Sequence, residues 1–89
     1  MNYDQLLTAI DAANETLLGR AAQAVNQALV LRNWLIGAHL VEFEQNGEDR
    51  ARYGEQLLTN VAADLKAKGL KGLGLSMLKN SRQFYRTYP

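Results

Sequence analysis

Apolar residues recur along this chain at the three- and four-residue spacing of an amphipathic helix, and no segment alternates for long enough to be a strand. The only proline is the last residue, Pro89, so no internal proline interrupts a helix. A first short helix is predicted over residues 3–12, and Asn14 has the side chain of an N-cap for the next helix. The alternative, in which the two helices run together, stays open. We therefore expect an all-α domain of three to four helices.

The second predicted helix is the longest and runs to about Gln45, where Asn46-Gly47 predicts a left-handed helix stop. Two stripes that step alternately by four and three residues lie side by side on it. The alanine-rich stripe comprises Leu17, Ala21, Ala24, Ala28, Leu31, Leu35 and Ala38. The second stripe comprises Leu18, Ala22, Val25, Leu29, Arg32, Ile36, His39 and Phe43. Around Trp34, Leu40 and Val41 the apolar surface extends nearly all round the helix, which predicts a central position for this half.

The length of this helix sets a packing problem. About 30 residues at a rise of ~1.5 Å give ~45 Å, whereas a single 89-residue domain is only ~30 Å across. Either Gly19 or Gly37 kinks the helix so that the chain folds back, or the helix packs against a second copy. We favour a homo-oligomer, because the alanine-rich stripe otherwise has no partner. The predicted interface residues are Leu17, Ala21, Ala24, Ala28, Leu31 and Leu35.

After the acidic pair Glu48-Asp49, a third helix is predicted from about Arg52 or Tyr53, ending before a glycine-rich segment at residues 69–74. Three glycines in these six residues predict tight turns with positive φ angles. A fourth helix is predicted from Gly74 or Ser76 to about Tyr88. The whole chain is then one domain, residues 1–89, whose region 53–88 has the outline of a helix-turn-helix.

Charge is divided unevenly along the chain. Residues 1–63 hold four arginines and eight acids, a net charge of −4, whereas residues 64–89 hold six cations and one acid, a net charge of +5. This asymmetry favours a polyanion partner at the C-terminal end, although a solvated basic helix would have the same composition.

One face of the fourth helix is polar and contains no acid. Lys79, Arg82, Gln83 and Arg86 follow the helical spacing, Asn80 lies at the edge of this face, and Lys71 lies in the preceding turn. Arginine can bond to guanine and glutamine to adenine, while lysine neutralises phosphate. We expect these six residues to contact double-stranded DNA. The opposite side is predicted to pack, through Met77, Leu78, Ser81, Phe84, Tyr85 and Tyr88.

The residues give little support for catalysis. The chain has no cysteine, and His39 is its only histidine, so no pair of histidine or cysteine ligands is available for a metal ion. Glu42 and Glu44 are expected on different helix faces, and the acids of the chain are expected mostly away from the basic end. We therefore expect no enzyme activity, catalytic residue, metal site, cofactor or small-molecule substrate. No apolar run reaches the ~20 residues of a membrane span and no signal peptide is evident, so we expect a cytoplasmic protein.

Several short motifs together resemble one known bacterial family. They are Trp34-Leu35-Ile36-Gly37, Val41-Glu42-Phe43-Glu44-Gln45-Asn46-Gly47, Arg50-Ala51-Arg52-Tyr53-Gly54-Glu55-Gln56-Leu57-Leu58, Asp64-Leu65, Lys71-Gly72, Arg82-Gln83-Phe84-Tyr85 and Tyr88-Pro89. Over residues 25–89 this pattern resembles the N-terminal domain of the YhcG-like family of PDDEXK-type nucleases. The resemblance implies a helical, helix-turn-helix-like domain that is joined in the family to a C-terminal nuclease domain, whose acids and lysine are not in this chain.

Two functions remain in view. The first is a non-catalytic domain that targets a YhcG-like nuclease to DNA and self-associates through its long helix. The second is a pure oligomerisation or protein-interaction module that binds no nucleic acid. The affinity of the chain for duplex DNA, measured at several salt concentrations together with its molar mass in solution, discriminates between the two functions.

Overall fold

The computed structural model describes all residues from Met1 to Pro89, and its only regular elements are helices. Helix α1 spans Tyr3–Asn46, the single-turn helix α2 spans Arg50–Tyr53, and a 3-10 turn spans Gly54–Gln56. Helix α3 spans Leu57–Ala67 and helix α4 spans Leu75–Thr87. The predicted all-α fold with one long helix is confirmed. The chain contacts divide into two units, Met1–Val30 and Leu31–Pro89, and α1 contributes to both.

The start of α1 is a reciprocal capping arrangement. The Asn2 side-chain oxygen accepts a hydrogen bond from the Gln5 backbone N–H at 2.8 Å, and the Gln5 side-chain oxygen accepts one from the Asn2 N–H at 2.9 Å. Two backbone donors at the helix start are thereby satisfied. The predicted short first helix and the N-cap at Asn14 are wrong, because α1 continues through residue 14.

Helix α1 continues through Gly19 and Gly37, the two positions at which a kink was predicted as one alternative. The end of the helix was predicted correctly, but by the wrong mechanism. Gly47 has no positive φ angle. Instead, its N–H donates to the Phe43 carbonyl at 2.9 Å, and a Cβ atom on Gly47 would lie 2.7 Å from a Phe43 ring carbon. Glycine is required here by the close approach of Phe43, not by a left-handed backbone.

The predicted third helix is divided at its start. Helix α2 ends at Gly54, which has a φ angle of +52°, and the 3-10 turn then leads into α3. The other end of α3 agrees with the prediction. The Gly69 N–H donates to the Lys66 carbonyl at 2.9 Å and the Leu70 N–H to the Leu65 carbonyl at 3.1 Å. With Gly69 at φ +83°, this is the Schellman arrangement that ends a helix.

The turn between α3 and α4 uses its glycines in two ways. Gly69 and Gly72 have positive φ angles, as predicted. Gly74 is extended, with φ −79° and ψ 177°, and is the N-cap of α4. Gly74 has no side chain to cap the helix, and no side-chain hydrogen bond is made to the first N–H groups of α4.

The hydrophobic core lies within Leu31–Pro89. Its buried members are Leu40 from α1, Leu57 and Leu58 from α3, and Leu78 from α4. Partly buried apolar side chains surround them: Ile36, Phe43, Tyr53, Val61, Ala62, Leu65, Leu75 and Met77. The second stripe of α1 therefore supplies core residues through Ile36 and Phe43, and the predicted central position of this half of the helix is confirmed.

The unit Met1–Val30 has a different character, because none of its residues is buried. Large apolar side chains along it are exposed, including Leu6, Leu7, Ile10, Leu17, Leu18, Val25 and Leu29. A single helix has no core of its own, so tertiary packing within this unit does not shield these side chains from water.

Candidate functional site

Helix α4 is held against α1 by a contact between small residues. Gly37 is buried, and a Cβ atom on it would lie 2.8 Å from the Ser81 carbonyl carbon and 2.9 Å from the Tyr85 Cβ. Ser81 is itself 3% exposed. The absence of a side chain on Gly37 allows the backbones to approach, and this contact fixes which side of α4 faces α1.

Trp34 reinforces the same contact. Its ring lies edge-on to Tyr85 with centroids 5.1 Å apart, and its indole N–H donates to the Tyr88 carbonyl at 2.6 Å. The interaction satisfies a carbonyl at the C-terminal end of α4, which has no partner within the helix. Trp34 is therefore a packing residue between α1 and α4.

With α4 oriented in this way, two of the predicted DNA-contacting residues meet an acid from α1. An Arg82 guanidinium nitrogen lies 3.0 Å from one carboxylate oxygen of Glu44, and an Arg86 nitrogen lies 3.2 Å from the other. The Glu44 and Arg82 side chains are about a quarter exposed, at 26% and 27%, whereas Arg86 is 48% exposed. Glu44 is therefore an exception to the expectation that the acids lie mostly away from the basic end.

The sequence pattern did not reveal this cluster. Glu44 precedes Arg82 by 38 residues, so their pairing depends on the crossing of α1 and α4 and not on periodicity. One local signal was present. Glu44 lies in the last turn of α1, where the helix dipole disfavours an acid, and that turn contains no basic residue. An acid in such a position indicates a cation from elsewhere in the fold.

The other predicted DNA-contacting residues are distributed around α4. Lys79 lines a cleft of about 330 Å³ that also includes Glu44, Glu55 and Arg82. Asn80 lines a separate cleft with Asn33 and Phe84. The structure therefore brings Lys79, Arg82 and Arg86 towards one side of α4, with Asn80 on another.

Gln83 and Lys71 complete the predicted set. The Gln83 amide nitrogen donates to the Thr87 hydroxyl at 3.2 Å, and both side chains are exposed. Lys71 lines a depression in the α3–α4 turn together with Lys66 and Gly72. Lys66, Lys68, Lys71 and Lys79 are all exposed, and both salt bridges of the structure are made by arginines.

The six predicted interface residues of α1 are all exposed. Four of them, Leu17, Ala21, Ala24 and Ala28, belong to the unit Met1–Val30, and Leu31 and Leu35 belong to Leu31–Pro89. Leu17, Leu31 and Leu35 are exposed by 62%, 58% and 43%, respectively. These six residues are therefore exposed to water in the single chain, whereas Ala38, the last residue of the alanine-rich stripe, is partly buried.

His39 lines an apolar groove of about 460 Å³ whose other polar members are Asp49, Asn60 and Asp64. No three His, Asp or Glu side chains are grouped so that they could hold a metal ion. None of the helices combines the length and apolar character needed to cross a membrane.

Comparison with known proteins identifies the family. The DUF1016 N-terminal domain matches residues 8–89, which covers α1 almost entirely as well as α2, α3 and α4. The chain belongs to the DUF1016 N-terminal domain family. This match begins further towards the N-terminus than residue 25, where the motif resemblance began.

A curated relative agrees with this DUF1016 assignment. The Escherichia coli (strain K12) protein named "Putative nuclease YhcG" is 32% identical to the chain over 83 residues. The matched region is 93% of this chain and 21% of that relative, so the chain spans about a fifth of the relative's length. The predicted resemblance to the N-terminal domain of a YhcG-like nuclease is confirmed. No solved structure matches the chain.

Proposed function

We propose that this chain is a non-catalytic domain that targets a YhcG-like nuclease to double-stranded DNA and self-associates through α1. The relative is named as a putative nuclease, which supports nucleic acid as the partner, and the match covers 21% of that relative. The observation that carries the proposal is the acid-poor group of cations in residues 64–89, which hold a net charge of +5 and of which all but Arg82 are exposed.

The DNA contact is assigned to α4 and the turn before it. Lys71 and Lys79 are exposed and outside any salt bridge, so they are available to phosphate oxygens at no cost in lost ion pairs. Lys79, Arg82, Gln83 and Arg86 follow one another along the same side of α4. In this proposal Gln83, Asn80 and the arginines contact base edges or sugar-phosphate groups beside the lysines.

Self-association is supported by the exposure of α1. Apolar side chains that are more than half exposed occur at Ile10, Leu17, Leu18, Val25 and Leu31. An isolated helix gains no burial from them, whereas a second copy packed along the alanine-rich stripe would remove Leu17 and Leu31, which belong to that stripe, from water. The small alanine side chains at residues 21, 24 and 28 permit a close approach of the two helix backbones.

The alternative function is an assembly module that binds no nucleic acid. The contacts of Glu44 with Arg82 and Arg86 favour it, because two of the six proposed DNA contacts already have a protein partner. On this alternative the lysines are only a solvated surface, and the nuclease obtains its substrate through other parts of the longer protein.

One experiment tests both functions. The affinity of the chain for a short random-sequence duplex is measured by fluorescence anisotropy across a salt series, and the molar mass of the same sample is measured by light scattering. We expect binding that weakens with salt, with a log–log slope of about −0.9 for each phosphate contacted, and a mass above that of one chain. An assembled chain with no duplex binding at low salt would refute the targeting function and leave the assembly module.

A further inference from the structure

Glu44 is the one acid that contacts the cations of α4. Each of its two carboxylate oxygens accepts a hydrogen bond from a different arginine, at 3.0 Å from Arg82 and 3.2 Å from Arg86. Arg82 and Arg86 are one helical turn apart on α4, so both guanidinium groups can reach the same carboxylate. The cluster has a net charge of +1 instead of the +2 of the two arginines alone.

The position of Glu44 is not explained by the stability of its own helix. It lies in the last turn of α1, where the partial negative charge of the carbonyl groups opposes a carboxylate. Its neighbour Glu42 occupies the same end of the helix but is exposed and forms no salt bridge. What distinguishes Glu44 is therefore its pair of arginine partners.

A phosphate group and the Glu44 carboxylate use the same arginine donors. The carboxylate and a backbone phosphodiester each present two anionic oxygens that accept hydrogen bonds from guanidinium N–H groups at similar distances. A phosphate that approaches Arg82 or Arg86 must either displace Glu44 or accept the repulsion of its charge. Lys71 and Lys79 form no salt bridge, so no paired carboxylate has to be displaced from either lysine.

We propose that Glu44 is a specificity-determining residue of the nucleic-acid surface, which withholds Arg82 and Arg86 from indiscriminate contacts with the phosphate backbone. Duplex of any sequence is then held through the lysines alone. Arg82 and Arg86 contribute to binding only where hydrogen-bond acceptors of the nucleic acid displace the Glu44 carboxylate. This proposal rests on the proposed function, because it concerns the selectivity of the same surface.

The test compares Glu44→Gln with Glu42→Gln. Each substitution removes one negative charge from the same end of α1, so a general effect of net charge is equal in the two variants. Binding of a random-sequence duplex is measured across salt for both variants and for the wild type. Circular dichroism and urea unfolding establish that each variant is folded, and Glu44→Ala serves for the same comparison if Glu44→Gln does not fold.

We expect Glu44→Gln to bind the random duplex more tightly than either other protein. Release of two arginines should steepen the log–log salt slope by up to about 1.8, which is about a tenfold additional loss of affinity between about 50 and 200 mM salt. In an Arg82→Ala/Arg86→Ala background the same substitution should have no more effect than Glu42→Gln, because the groups it releases are absent.

Two results would overturn the proposal, and they differ from the failure of the proposed function. In the first result, the wild type binds the duplex, but the affinity of Glu44→Gln for the duplex equals that of Glu42→Gln or is lower than that of the wild type. Glu44 then does not restrain the arginines. A weaker Glu44→Gln variant would make Glu44 a residue that positions them instead. If neither the wild type nor any variant binds duplex at low salt, both the targeting function and this role of Glu44 are wrong.

Discussion

Gly37 of α1 packs directly on the backbone of Ser81 in α4, and this contact leaves no space for a side chain between them. Gly37→Ala should therefore destabilise the fold by about 1–3 kcal/mol, the usual cost of forcing an extra carbon into a packed contact. The higher helix propensity of alanine, about 1 kcal/mol, offsets part of this cost.

Gly19→Ala is the matched control. Gly19 lies in the same helix, but an added Cβ atom meets nothing within 4 Å. This variant should be neutral or slightly more helical, and urea unfolding followed by circular dichroism compares the two. If both substitutions have the same effect, the Gly37–Ser81 contact does not contribute to stability.

Self-association through the alanine-rich stripe is tested by Leu31→Arg and Leu35→Arg. Both leucines are exposed within one chain, so the substitutions should leave the fold of a monomer intact. In an assembled form they would bury an unpaired charge, at a cost of about 3–5 kcal/mol. Light scattering should show a fall in mass towards one chain. Gln23→Arg, on the side of the helix away from both stripes at 100° per residue, should leave the mass unchanged.

The proposed contact of Lys79 with phosphate predicts that Lys79→Ala weakens duplex binding and lowers its dependence on salt. The log–log slope for duplex binding should become about 0.9 less steep, because one phosphate contact is removed. Arg20→Ala removes the same charge from the exposed unit Met1–Val30 and should leave this slope unchanged. Equal slopes for the two variants would mean that Lys79 acts only through the total charge of the chain.

A base contact by Gln83 predicts a change in selectivity instead of salt dependence. Gln83→Ala should relax the preference at one base position by about 1–3 kcal/mol, measured by competition between duplexes that differ at a single site. Thr87→Val replaces the hydroxyl that Gln83 contacts with a methyl group and should retain the preference. An unchanged base preference in Gln83→Ala would restrict this residue to a structural role.

The proposed absence of catalysis predicts that the purified chain does not cut DNA or RNA with magnesium or manganese. Metal-dependent cleavage needs carboxylates that converge on one cation, whereas Glu44 is engaged by two arginines and Glu42 is exposed. Any trace of cleavage should survive in Glu42→Ala and Glu44→Ala. Cleavage that follows the chain through purification and disappears in one of these variants would contradict the prediction.

Local features of this fold were well predicted by the sequence. The end of α3 at Gly69 and the start of α4 at Gly74 follow from glycine placement, and both depend on residues within one or two turns. The Asn2–Gln5 capping pair was equally local, and its three-residue spacing was readable, but it was overlooked.

The features that the sequence did not predict depend on contacts between groups whose approach is set by the folded structure. Gly37 and Gly47 were interpreted as points of backbone flexibility, yet both are glycine because another group approaches closely. Composition cannot distinguish these two uses of glycine. The pairing of Glu44 with Arg82 likewise required the crossing of two helices, so the basic face was predicted without the acid that modifies it.

The contact of Trp34 with Tyr85 and the Tyr88 carbonyl provides an internal optical reporter, because Trp34 is the only tryptophan in the chain. Separation of α4 from α1 exposes the indole to water and shifts its fluorescence emission to the red. The far-ultraviolet signal, by contrast, arises from every helix, including the unit Met1–Val30, which contains no tryptophan. Recording both during denaturation distinguishes the loss of the packed unit Leu31–Pro89 from the unwinding of the exposed helical segment, without any label.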